Sequence, residues 1–83
     1  MYELTFKRRA RRNVARLPES VYRRMIRAID ELAENPRPRN SRKLRGKEGW
    51  RIRVGDYRVI YEIDDEAQEV LVLDVGHRRD VYR

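Results

Sequence analysis

Three arginines in the stretch WRIRVGDYRVIYEI, residues 50 to 63, have the types and spacing to act on an anion. The stretch reads as a β-hairpin about Gly55-Asp56, because both arms alternate and a two-residue turn containing glycine joins such arms with native twist. Counting outward sets Val54 opposite Tyr57, Arg53 opposite Arg58, Ile52 opposite Val59, Arg51 opposite Ile60 and Trp50 opposite Tyr61. One face is then apolar (Trp50, Ile52, Val54, Tyr57, Val59, Tyr61), and the other carries Arg51, Arg53 and Arg58. Like charges directly across a ladder cost stability. Clustered guanidinium groups in a shallow site can repay that cost by holding a phosphodiester and stabilising the charge that grows in its pentavalent transition state. The alternative is a solvated face on which Glu62, on the same side, pairs with a guanidinium.

A second group of reactive side chains follows the last apolar stretch, in Gly76-His77-Arg78-Arg79-Asp80-Val81-Tyr82-Arg83. His77, the only histidine, can act as acid or base near neutral pH or simply be exposed. Tyr82 can anchor the tail, stack on a base or move a proton through its phenol.

The elements that position these groups follow from periodicity. YELTF (2 to 6) alternates as a short strand. Phe6, Ala10, Val14 and Leu17 fall at helical spacing, which predicts a first helix over 7 to 17 with an arginine-rich outer face. Pro18 ends it and opens a second helix over 18 to 35, with Glu19 near its positive end and Val21, Met25, Ala28, Ile29 and Leu32 as its stripe. Asn35-Pro36 stops that helix. PRPRNSRKLRG (36 to 46) shows no apolar periodicity and reads as a basic connector. Hairpin strands at 49 to 54 and 57 to 63, a turn at 64 to 67 and a last strand at 68 to 75 complete the chain. The expectation is a single α+β domain, 1 to 83, with two N-terminal helices on one face of a mainly antiparallel four-stranded sheet in the order β-α-α-β-β-β.

Eighty-three residues leave room for one modest core. The absence of cysteine removes disulfides and thiolate chemistry, effectively excludes zinc and fits a cytoplasmic protein. No cofactor is called for. No apolar run approaches a membrane span, so no membrane partner is expected. The net charge of +7 is unevenly spread: residues 7 to 16 hold six bases and no acid, residues 37 to 53 hold eight bases against Glu48, and residues 62 to 74 hold six acids and no base. Arginine outnumbers lysine 18 to 3. A phosphate-rich polyanion suits such a surface, since counterion release favours binding and the planar guanidinium fork matches phosphate.

The element order, the K-L-R-G stretch (Lys43 to Gly46), the W-R-I-R and G-D-Y-R-V-I-Y arms, and V-G-H-R-R-D-V-Y after the last strand resemble the RelE branch of the RelE/ParE superfamily of type II toxin–antitoxin systems. The resemblance covers nearly the whole chain. It implies a small toxin that enters the ribosomal A site beside 16S rRNA and cuts mRNA there without a metal, the substrate 2′-hydroxyl attacking the adjacent phosphate, and that a cognate antitoxin neutralises. It implies catalytic roles for Arg51, Arg53, Arg58, Arg78 and Tyr82, and RNA contacts from Arg8, Arg9, Arg12, Lys43, Arg45, His77 and Arg79. Arg51 and Arg53 stand where RelE proteins usually carry lysines. Arginine stays protonated and cannot be a general base, which leaves Tyr82, His77 or a ribosomal group. A ParE-like gyrase inhibitor and an RNA-binding module with weakened catalysis are the alternatives, because fold alone does not set function.

Overall fold

The alternating N-terminal residues form strand β1 (Glu3–Phe6), and the chain then turns directly into helix α1 (Arg8–Ala15). The computed structural model describes residues 1–77 and Arg79. Helix α1 buries only Ala10 and Val14, and its four arginines repel one another at neighbouring positions, so it depends on packing rather than propensity. Pro18 caps helix α2 (Glu19–Glu34), which buries Met25, Ile29, Leu32 and Ala33. Asn35 leaves the helix with extended backbone, as a residue before proline prefers. Both helices are slightly shorter than the periodicity predicts. Among the described residues no helix is long and apolar enough to cross a membrane.

The sheet corrects the expected architecture. It has five strands in the order β1-β5-β4-β3-β2, comprising β2 (Arg42–Lys43), β3 (Trp50–Val54), β4 (Tyr57–Asp64) and β5 (Glu69–His77) besides β1. Strand β2 arises inside the connector, where two exposed cations carry no alternation to reveal it. Its pairing is closed by the loop to β3, in which the Leu44 N–H donates to the Gly49 carbonyl at 3.0 Å. Gly49 has φ +118°, and a β-carbon there would come within 3.2 Å of both Leu44 Cδ1 and the Tyr61 carbonyl. The sheet is mixed because β1 runs parallel to β5, while the remaining pairs are antiparallel.

The hairpin register matches the count from Gly55-Asp56 at all five pairs, and Gly55 takes φ +61° at the first turn position. The β4–β5 register shifts between Ile60 and Tyr61: Ile60 faces Asp74 but Tyr61 faces Val72, leaving Leu73 as the extra residue of a bulge. Strict alternation from Val70 and Val72 would send Asp74 into the core. The bulge instead puts Val75 there, and Val70, Val72 and Val75 are all fully buried. The helices cover this apolar face, with Tyr61 wholly buried beneath them and its hydroxyl donating to the Pro36 carbonyl at 2.6 Å.

Candidate nucleic-acid interface

The face of the sheet opposite the core cluster carries Arg51, Arg53 and Arg58, as the alternation requires, and adds Arg42. Arg42 lies across from Arg51 on β2, and Arg53 lies across from Arg58. Opposite Arg58 on its other side is Gly76, which has no side chain to fill the space. Arg51 and Arg58 are half-buried and Arg42 and Arg53 exposed. The Nε of Arg53 donates to the Gly55 carbonyl at 2.9 Å, which fixes that guanidinium beside the hairpin turn.

Two adjoining clefts open on this face. One, of about 470 Å³, is lined by Lys43, Arg45 and Lys47 together with Arg42, Arg51 and Arg58. The other, of about 300 Å³, shares those last three arginines and adds Asn40 and Arg53. Such a surface can hold phosphate oxygens through charge-assisted, bidentate hydrogen bonds. Charge reverses toward the far end of the sheet. A depression of about 700 Å³ there is lined by Glu48, Glu62, Asp64, Asp65, Glu66 and Glu69 against two cations, Arg37 and Lys43, so acids predominate at that end. At that end Arg37 grips Asp65 through Nη1 and Nη2 at 3.2 and 2.9 Å, and the Tyr2 hydroxyl donates to the same carboxylate at 2.7 Å. Arg37, followed by Tyr2, holds the Asp65 carboxyl below its ordinary range. The Arg37 and Lys43 cations lie 5.2 and 5.5 Å from the centroid of the Trp50 ring, tying the connector to the sheet.

Arg45, expected to contact RNA, therefore lines the cleft on the arginine face, and Lys43 borders the same cleft while pairing with Trp50 and setting its Nζ over that ring. Arg8 and Arg12 are exposed on α1. Arg9 remains largely exposed while forming a 3.3 Å ion pair with Asp74, whose other oxygen accepts from Asn13 Nδ2 at 2.8 Å. One helical turn separates Arg9 from Asn13, so both reach the β5 edge that continues past the end of β1. His77 pairs with Tyr57 and meets its ring edge-on, the centroids 5.5 Å apart, on the face that carries the core. A cleft of about 330 Å³ lies there, between Arg9, Asn13, Arg16, Tyr57 and His77. Arg79 is exposed and its N–H donates to His77 Nδ1 at 3.3 Å. Arg78 and Tyr82 lie outside the described residues. Arg42 and Asn40 escaped the sequence reading because nothing in the connector signals a strand, although its density of arginines marks it as cationic.

A family model described as the ParE toxin of the type II toxin–antitoxin system parDE matches residues 4–82. The chain belongs to the RelE/ParE toxin family. Within that family the similarity runs to the RelE branch. Toxin RelG of Mycobacterium tuberculosis is 36% identical over 87 residues, which span 99% of this chain and 97% of RelG. Among solved structures, a chain of the RelBE2 toxin–antitoxin complex of M. tuberculosis superposes with a TM-score of 0.82 at 32% identity, covering 93% of this chain and 98% of its own. A chain of the archaeal RelE–RelB complex of Pyrococcus horikoshii gives 0.83 at 29% identity, with 96% and 98% covered. As a RelE-like member the chain is a toxin of the type II class.

Proposed function

We propose that this toxin is a ribosome-dependent mRNA endoribonuclease of the cytoplasm that cleaves in the A site and so inhibits translation. The observation that carries the reading is the cross-strand placement of Arg53 and Arg58 beside Arg51 on the open face of a RelE-like fold. In the reaction the substrate 2′-hydroxyl loses its proton and attacks the adjacent phosphorus, the bond to the 5′-oxygen breaks, that oxygen takes up a proton drawn from water, and a 2′,3′-cyclic phosphate and a 5′-hydroxyl are left. Arg51, Arg53 and Arg58 bind the phosphate and stabilise its added charge. They supply no base. His77 packs on Tyr57, on the other side of the sheet from the arginines, which favours Tyr82 or a ribosomal group as acceptor of the 2′-hydroxyl proton, and Arg78 is assigned a further contact to the phosphate. The solved complexes of RelE-like chains with RelB proteins support a cognate antitoxin as partner here, whose proposed action is to cover the arginine face or to displace the tail.

The test is to add the purified chain to programmed ribosomes and map new RNA 5′ ends. New ends within the A-site codon support the reading, and intact mRNA overturns it. A second reading, inhibition of DNA gyrase, has the ParE description of the matching family model in its favour. A gyrase cleavage assay run in parallel separates the two.

A further inference from the structure

We infer that the cationic face carries a second anion seat, completed by Arg42, which grips the RNA phosphate adjoining the one that is cleaved. The inference deepens the endoribonuclease reading and rests on it for the identity of the strand. Three observations lead to it. Strand β2 sets Arg42 directly opposite Arg51, which extends the guanidinium row onto a third strand. The two clefts share Arg42, Arg51 and Arg58 but differ in their remaining walls, one ending in Arg53 and the other in Lys43, Arg45 and Lys47. A polyanion with regularly spaced charges can fill both at once. Finally, Arg42 Nη1 donates to the Arg39 and Ser41 carbonyls at 3.2 and 2.9 Å. These neutral partners hold the guanidinium in place without cancelling its charge, so it meets a phosphate already ordered.

The cleft containing Arg53, beside the end of β5, takes the reacting phosphate, and the cleft bounded by the Lys43–Lys47 loop takes its neighbour. A group that binds the neighbour acts equally on substrate and transition state, so its loss appears in KM rather than in kcat.

The test uses the full chain and a short 2′-O-methylated oligoribonucleotide, which cannot be cut, titrated by fluorescence anisotropy over a range of salt. Arg42→Gln should weaken binding about tenfold, the loss of one charge-assisted contact, and lower the slope of log K against log salt by about 0.7, one phosphate on a single strand. Arg42→Lys should keep the slope, which a role limited to holding the two carbonyls does not explain. Arg23→Gln removes a charge from α2, where Arg23 pairs with Glu19, and should change neither quantity. Arg42→Gln that binds like the unaltered chain, or Arg42→Lys and Arg42→Gln that lose the slope equally, overturns the second seat. On ribosomes, Arg42→Gln should raise KM and leave kcat within about twofold; a fall in kcat to the level of Arg58→Ala would place Arg42 on the reacting phosphate instead. Should the unaltered chain leave ribosomal mRNA intact, the endoribonuclease reading fails, while the oligonucleotide titration still decides the seat.

Discussion

Arg53 lies directly opposite Arg58 in the β3–β4 ladder, so two arginines leave the same face of the sheet from register-paired positions. Repulsion in such a pair costs a few tenths of a kcal/mol to about 1 kcal/mol. Arg53→Glu turns it into attraction and should raise the melting temperature by about 2–6 °C at low salt while abolishing cleavage. A variant that melts below the unaltered chain would show that the Arg53 bond to the Gly55 carbonyl matters more than the repulsion.

Arg58→Ala should reduce cleavage on programmed ribosomes by about 10²-fold, the usual loss for one donor aimed at developing charge. The fold should persist, because Arg58 projects away from the apolar face; circular dichroism checks this. Tyr82→Phe separates two roles in the same assay. A retained rate leaves stacking as the role of the ring, and a large loss assigns proton transfer to its hydroxyl.

The cations of α1 divide into two groups. Replacing Arg8, Arg11 and Arg12 by glutamine should flatten the salt dependence of ribosome binding without loosening the fold. Asp74→Ala should instead destabilise the chain by about 1–2 kcal/mol in urea unfolding, since it strips Arg9 and Asn13 of their shared acceptor in a partly buried position. Equal stability of the Asp74 variant and the unaltered chain would return Arg9 to the RNA-facing set.

Burial pushes the Tyr61 hydroxyl up to about 12, from the usual tyrosine value of 10.0. The fold therefore favours the protonated phenol. That contribution is complete below about pH 10, where the unfolded tyrosine keeps its proton, and is lost as pH climbs toward 12. Tyr61→Phe should cost about 1–2 kcal/mol at neutral pH through the lost bond to Pro36, and the gap to the unaltered chain should shrink in alkaline melts.

Asp65 behaves in the opposite sense. Arg37 depresses its carboxyl below the ordinary value of 3.8, so its contribution is present above that value and disappears as acid protonates the folded form. Asp65→Asn should lower the melting temperature slightly at neutral pH and not at all in strong acid. The effect is small because the pair is solvent-exposed.

The hairpin was legible residue by residue. Alternation in WRIRV and YRVIYEI and a glycine turn leave one register that buries Trp50, Ile52, Val54, Val59 and Tyr61 together, and that register alone brings Arg53 to Arg58. The helices were legible for a similar reason, since Ala10, Val14, Met25, Ile29 and Leu32 repeat at helical spacing and Pro18 and Pro36 punctuate them. These are local properties, carried by neighbouring residues. Strand β2 was not legible, because Arg42 and Lys43 pair only when the 44–49 loop folds them against β3. Nor was the bulge at Leu73. Its cause is a conflict between elements: unbroken alternation on β5 would bury Asp74, and the sheet inserts a residue instead, handing Asp74 to Arg9 and Asn13 and turning His77 toward Tyr57. The sequence by itself determined which side chains are cationic, which strands alternate and where the helices stop. Tertiary structure alone decided that Arg42 joins the arginine face and that Arg9 and His77 stand apart from it, because strand pairing and the cost of a buried carboxylate depend on residues far away in the chain.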